Sequence, residues 1–165
     1  IGLIEDAAGL QALPFILELE ILQAEGLGLE DFLSHLIFET QLVDKLVDHI
    51  RTQVTLAAMA WGIEAIDTIS MDITGGELLR ADVNNVRSTG FNGKFSIHPS
   101  QIHPINKGFC PSAEAQKKAF TISETLKSTE FGSGYLRIDG EIISPPELET
   151  LQTIKKFSDY HEHTI

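Results

Sequence analysis

Four short apolar runs alternate with longer stretches of helical periodicity, and that order leaves few architectures open. Ile1–Ile4 reads as a buried strand already under way, closed by Glu5 and Asp6. Leu22–Leu27 is the second, weakened by the polar Gln23 and Glu25, and Ile63–Ile69 is the third. Lys94–Ile97 is the fourth, entered through the turn pair Asn92-Gly93 and stopped by Pro99. Between them, Ala7–Leu19 reads as a loop and a short helix with Pro14 near its start. From Val43 the apolar residues fall at 43, 46, 47, 50, 54, 57, 58 and 61, a helical stripe that Gly62 ends. Gly75-Gly76 opens a further helix with Leu79, Val83 and Val86 on its core face. Strands that alternate with helices make βαβ units, so the expected class is α/β with a parallel sheet. Closing a barrel takes eight strands, and this chain carries half that number.

The C-terminal part reads differently. Ser112, after Pro111, caps a helix that turns Ala119, Ile122 and Leu126 inward. Phe131–Gly140 is glycine-rich and is expected to be a linker or lid. Ser144-Pro145-Pro146-Glu147 is a capping box that starts a last helix through Leu148, Leu151, Ile154 and Phe157. The expected organisation is therefore a βα portion over residues 1–130, followed by a linker and helix over 131–165. A chain that begins in mid-strand is also expected to lack residues in front of Ile1.

Charge narrows the partners. With 24 acidic and 12 basic residues, the formal net charge of −12 argues against nucleic acid and anionic membrane surfaces. The charge is uneven: residues 1–50 hold ten carboxylates with Lys45 as their only base, whereas eight Lys and Arg lie between Arg80 and Arg137. The single Cys110 excludes an intramolecular disulfide. No apolar run approaches the ~18 residues of a membrane span. The start also shows no basic leader, so a cytoplasmic location is expected.

Glu5, Asp31, Asp67 or Asp72, and His98 fall at or just past the carboxyl ends of the expected strands. In a parallel β/α arrangement those ends share one rim, so residues distant in sequence converge there. Two carboxylates on that rim, with water and a chelating substrate in the remaining positions, suit Mg²⁺. The same acids also read as solvated loop residues or helix caps. Zinc and iron are disfavoured, because His98 and His103 have no cysteine or third histidine near them in sequence. His98 reads as a loop-anchoring imidazole or as an acid/base group. Pro99 and Pro104 are expected to bar a helix immediately after it, leaving Ser100, Gln101 and His103 on a shaped loop.

Several runs together carry a family likeness. They are I-E-D-A-A-G at residues 4–9, G-L-E-D-F at 28–32, A-A-M-A-W-G-I-E-A-I-D at 57–67, G-F-N-G-K-F-S-I-H-P-S-Q-I at 90–102 and N-K-G-F-C-P-S at 106–112. In this order they resemble the citrate lyase beta-subunit family, a branch of the (β/α)8 aldolases and lyases acting on acyl thioesters. The resemblance implies a TIM-barrel fold of which this chain supplies roughly strands five to eight plus the C-terminal helices. It also implies a Mg²⁺ ion held by Glu5 and Asp31, with substrate contacts from Glu30, Ile97 and His98.

The implied reaction is cleavage of a hydroxy-carboxyacyl thioester such as citryl, malyl or citramalyl into an acyl thioester and a 2-oxo acid. The carrier would be coenzyme A or an acyl carrier protein, and the assembly a homo-oligomer, trimer or hexamer. Asp6 and Ala8 depart from the Thr and Arg frequent in relatives. The family's proton-transfer aspartate, in D-G-x-M-I-D-x-P, falls on Ser144 of Asp139–Pro145, so no catalytic residue is assigned. Its catalytic arginine belongs to the other half of the barrel. A non-catalytic half-barrel serving as an oligomeric or partner-binding module is the alternative. A free-acid aldol lyase fits less well with the G-K-x-x-I-H-P-S-Q run at 93–101.

Overall fold

The computed structural model describes residues 1–34, 43–128, 135–138 and 140–162. It divides into two compact units, Ile1–Phe109 and Cys110–Ile165. The expected division near residue 130 differs from this one by the helix after Cys110, which packs within the second unit.

In the first unit, β1 (Gly2–Ile4), β2 (Ala24–Leu27), β3 (Glu64–Asp67) and β4 (Gly93–Lys94) form a four-stranded sheet in the order β1-β2-β3-β4. Every neighbouring pair is parallel, with Ile4 beside Leu27, Gly26 beside Ile66 and Asp67 beside Lys94. The connections run through α1 (Ala7–Leu17), α2 (Leu29–Ser34), α3 (Val43–Trp61) and α4 (Glu77–Ser88), with α5 (Pro99–Phe109) after β4. The expected α/β class with a parallel sheet is therefore observed.

Alternation along the strands separates the two faces. Ile4, Leu27 and Ala65 turn toward the helices and join Leu13, Leu17, Ile50, Val54, Ala58 and Val86 in one core. Leu3, one residue earlier, faces the other way and is half exposed. On that face the Phe95 ring lies directly over Gly26, where a β-carbon would come within 2.6 Å of it. Gly62, at φ +65°, takes the left-handed conformation that ends α3.

Local chemistry explains where helices begin. Asp6 caps α1, its Oδ1 accepting from the Gly9 amide at 2.6 Å. Pro14 lies inside α1 rather than near its start. The expected loop after His98 is instead α5, with Pro99 as its first residue and Pro104 inside it. The first helical position needs no amide hydrogen, so proline fits there and pre-sets φ.

In the second unit, α6 (Ala113–Ser128) and α7 (Pro145–Glu162) pack with a small antiparallel hairpin of β5 (Leu136–Ile138) and β6 (Glu141–Ile143). Its core holds Ala119, Ile122, Leu136, Ile143, Leu148 and Leu151. The Ala115 amide donates to the Ser112 hydroxyl at 3.1 Å, and the Glu147 amide to the Ser144 hydroxyl at 3.4 Å, so both expected caps form. The Glu147 side chain turns to Lys118 at 3.0 Å instead of closing the capping box. Of the expected linker, residues 131–134 and 139 lie outside the described residues. Its Leu136–Ile138 stretch is strand. Among the described residues no helix is long and apolar enough to cross a membrane.

Candidate metal and substrate site

The carboxyl ends of β1 and β2 open into a cleft of about 360 Å³ lined by Glu5, Glu30, Asp31, Thr68, Phe95 and Ser96, among others. Glu5 leaves β1 immediately before the α1 cap, and Glu30 and Asp31 form the first turn of α2. All three are exposed residues on the wall of the cleft. The start of α2 is tied to the adjoining loop by the buried Thr68 hydroxyl, which accepts from the Leu29 amide at 3.2 Å. Gly28 donates to the Ile4 carbonyl at 2.8 Å, locking the turn onto β1.

That turn is shaped around Glu5. A β-carbon on Gly28 would stand 2.7 Å from Glu5 Cγ and 3.2 Å from its Oε1. The glycine leaves the space the carboxylate occupies. Carboxylates with no thiol or imidazole among the lining residues form a hard oxygen donor set, which fits Mg²⁺ with several of its waters retained. Among the described residues no cluster of three or more His, Cys, Asp or Glu side chains is poised around a single point. A two-carboxylate site completed by water and substrate is what this cleft can offer.

The turn after β4 approaches the same cleft through Ser96, whereas Ile97 and His98 lie one and two residues beyond it and do not line it. Both are exposed. Gln101, fully buried, holds this turn. Its Oε1 accepts from the Ile97 and His98 amides at 3.0 and 3.2 Å, and its Nε2 donates to the Ser70 and Asp72 carbonyls at 2.8 and 3.0 Å. One side chain thus fastens the turn after β4 to the loop after β3. His98 Nδ1 sits 2.8 Å from the Ser100 hydroxyl, which itself donates to the Ile73 carbonyl. The imidazole is oriented by this contact.

Neither Asp67 nor Asp72 lines the cleft. Asp67 ends β3 with its carboxylate turned toward the helices and no solvent exposure. Arg51 of α3 grips it with two hydrogen bonds, at 3.0 and 2.9 Å, and the Lys94 ammonium approaches at 2.6 Å. Asp82 of α4 completes the group, 2.8 Å from Lys94 and 3.4 Å from Arg51. Two cations and two carboxylates balance, with Asp67, Arg51 and Lys94 buried and Asp82 at the partly exposed edge, so charges that would be costly alone are held together. Asp72 folds back on its own loop, and hydrogen bonds from the Thr74 hydroxyl and amide hold its carboxyl below the ordinary range.

Comparison with known proteins places this geometry. The model of the HpcH/HpaI aldolase/citrate lyase family matches residues 1–99, which include β1 to β4 and the whole cleft. The chain belongs to that family. The HpcH/HpaI aldolase/citrate lyase relatives include a citrate lyase subunit beta-like protein of Deinococcus radiodurans, 26% identical over 152 residues, covering 92% of this chain and 54% of that protein. Human mitochondrial citramalyl-CoA lyase is 30% identical over 132 residues, covering 79% of this chain and 39% of that enzyme. The chain thus spans about half the length of these relatives or less. Among solved structures, the Mycobacterium tuberculosis protein CitE in complex with magnesium, acetoacetate and coenzyme A superposes with a TM-score of 0.72 at 26% identity, over 96% of this chain and 60% of that one.

Proposed function

We propose that this chain contributes the carboxylate rim of a Mg²⁺-dependent carbon–carbon lyase that cleaves a hydroxy-carboxyacyl thioester into an acyl thioester and a 2-oxo acid. The observation that carries this reading is the shared cleft of Glu5, Glu30 and Asp31, shaped by Gly28 and lying within the family's matched segment. The four parallel strands would then be the fifth to eighth of a (β/α)8 barrel, with the remaining strands covering Leu3 and Phe95. A homo-oligomer in the cytoplasm, trimer or hexamer, belongs to the same proposal.

Glu5 and Asp31 would hold the ion, and Glu30 would orient the substrate beside it. Bound there, Mg²⁺ supplies Lewis-acid stabilisation of charge on the substrate's hydroxyl oxygen. Ser96 lines the cleft, and the turn that follows it, held by Gln101, would present Ile97 and His98 to the thioester arm beyond the cleft's edge. In cleavage the hydroxyl loses its proton, the carbon–carbon bond breaks, and its electron pair passes to the thioester enolate, which is then protonated. Ser144 stands where relatives carry an aspartate, and it cannot take a proton as a carboxylate does.

The test is turnover of citryl-, malyl- and citramalyl-thioesters by the full-length protein with and without Mg²⁺. Loss of acyl-thioester release on chelation, and in Glu5→Gln, supports the proposal. Undiminished turnover in excess chelator overturns it. The Ser144 hydroxyl, engaged as the cap of α7, favours one competing reading, a non-catalytic module that binds a partner. Magnesium binding without turnover of any of the thioesters would select it.

A further inference from the structure

Away from the cleft, on the helical layer of the first unit, α4 and α5 enclose a groove of about 450 Å³. Arg80 and Arg87 line it from α4, seven residues or two turns apart, and His103 and Lys107 line it from α5, one turn apart. No carboxylate among the described residues lines it. Val83 and Pro104 give it an apolar floor. In a chain of net charge −12, gathering these bases around one concavity runs against the overall composition.

The groove is built into the packing of the two helices. Gly108 abuts Val83 so closely that a β-carbon there would lie 2.3 Å from Val83 Cγ1. Any larger residue would force the helices apart. Arg87 donates to the Gly108 carbonyl at 2.9 Å, which fixes one guanidinium along the rim. Arg80 and Lys107 make no ion pair with a described residue.

We propose that the groove between α4 and α5 binds a small phosphorylated anion. Guanidinium groups match the tetrahedral oxygens of phosphate with paired, charge-assisted hydrogen bonds, and an ammonium adds a mobile point charge. The volume is that of a small-molecule site. A long polyanion would be repelled by the rest of this acidic chain, whereas a compact one is not. The groove is lined by none of the cleft residues, so the ligand acts apart from the carboxylate rim.

The experiment titrates the full-length protein with pyrophosphate by calorimetry in Mg²⁺-free buffer, which keeps the carboxylate cleft out of the reaction. Saturable one-site binding that weakens with added salt is expected. Arg80→Gln with Lys107→Gln should weaken it by about tenfold or more, and each single variant by severalfold, with the melting temperature unchanged. Lys45→Gln, the same charge change as either single variant but on α3, should leave it intact. Absence of saturable binding, an equal loss in Lys45→Gln, or binding of an acidic peptide in place of pyrophosphate each overturns the proposal.

Discussion

Gly28 and Glu5 occupy one another's space: the missing β-carbon of the first is where the side chain of the second runs, 2.7 Å from its Cγ. This relationship links the turn after β2 to the acid that ends β1. A Gly28→Ala variant should therefore displace Glu5 while leaving the helix-facing core untouched. We expect Mg²⁺ affinity to fall about 10–100-fold, the range seen when a supporting contact of a metal ligand is lost. Calorimetric Mg²⁺ titration of the full-length protein, paired with thermal melts, measures it; unchanged affinity would show that Glu5 has room to spare.

Asp67 is the fully buried partner of two buried cations, and its removal leaves them only the partly exposed Asp82. Asp67→Ala should cost about 3–5 kcal/mol, the cost of breaking a buried pair by deleting one partner. The balance differs if the cations go too. Adding Arg51→Met and Lys94→Met to Asp67→Ala should recover much of the loss, because the under-neutralised buried cations are gone. Urea unfolding of the wild-type, single and combined variants decides, and a milder loss in Asp67→Ala than in the combined variant would contradict the network.

Gln101→Ala leaves the Ser70 and Asp72 carbonyls and the Ile97 and His98 amides without their partner. A destabilisation of about 2–4 kcal/mol is expected for unmaking four partly buried bonds around a fully buried side chain. Amide hydrogen exchange gives a sharper reading than stability alone. Exchange at Ile97 and His98 should accelerate well beyond that of the β2 amides.

Glu25 is enclosed on the helix-facing side of β2, and neither of its carboxylate oxygens is hydrogen-bonded to a described residue. Burial pushes its carboxyl from 4.5 up to about 7, against a smaller opposite pull from the Ala58 backbone. The folded protein then holds a proton that the unfolded chain releases, so stability falls as pH rises from about 4.5 to 7 and levels off above. The loss is about 3 kcal/mol, since each tenfold change in acidity is worth ~1.4 kcal/mol. Subtracting the pH profile of Glu25→Gln, measured by denaturant unfolding, isolates this contribution. Parallel profiles would mean that Glu25 ionises freely in the fold.

Much of the first unit is readable before any coordinates. The α3 stripe, the Leu79-Val83-Val86 face and the strand positions depend on local periodicity, which sequence displays directly. Glu5, Glu30 and Asp31 are legible because strand ends of a parallel sheet share a rim, so placing the strands places the acids. Arg51 with Asp67 and Lys94 is invisible, since pairs 16 and 27 residues apart leave no local signature. Reading Pro99 as a barrier to a helix overlooks that a first helical residue has no amide partner to lose. The Asp-Gly pair at 139–140 is a hairpin signal, and the glycine-rich stretch around it masks it. Glu25 reads as a blemish in a strand, because sequence cannot show that the fold encloses it completely.

Lys94 brings a different consequence. Its ammonium has no exposed surface in the folded chain, while Lys45, Lys107 and Lys156 stand on exposed positions. An amine-directed label will modify the exposed lysines, Lys117 among them, in the native protein and reach Lys94 only when β4 parts from α3 and α4. The rate at which that one amine becomes reactive is thus a clock for global opening, built into the sheet without any added probe.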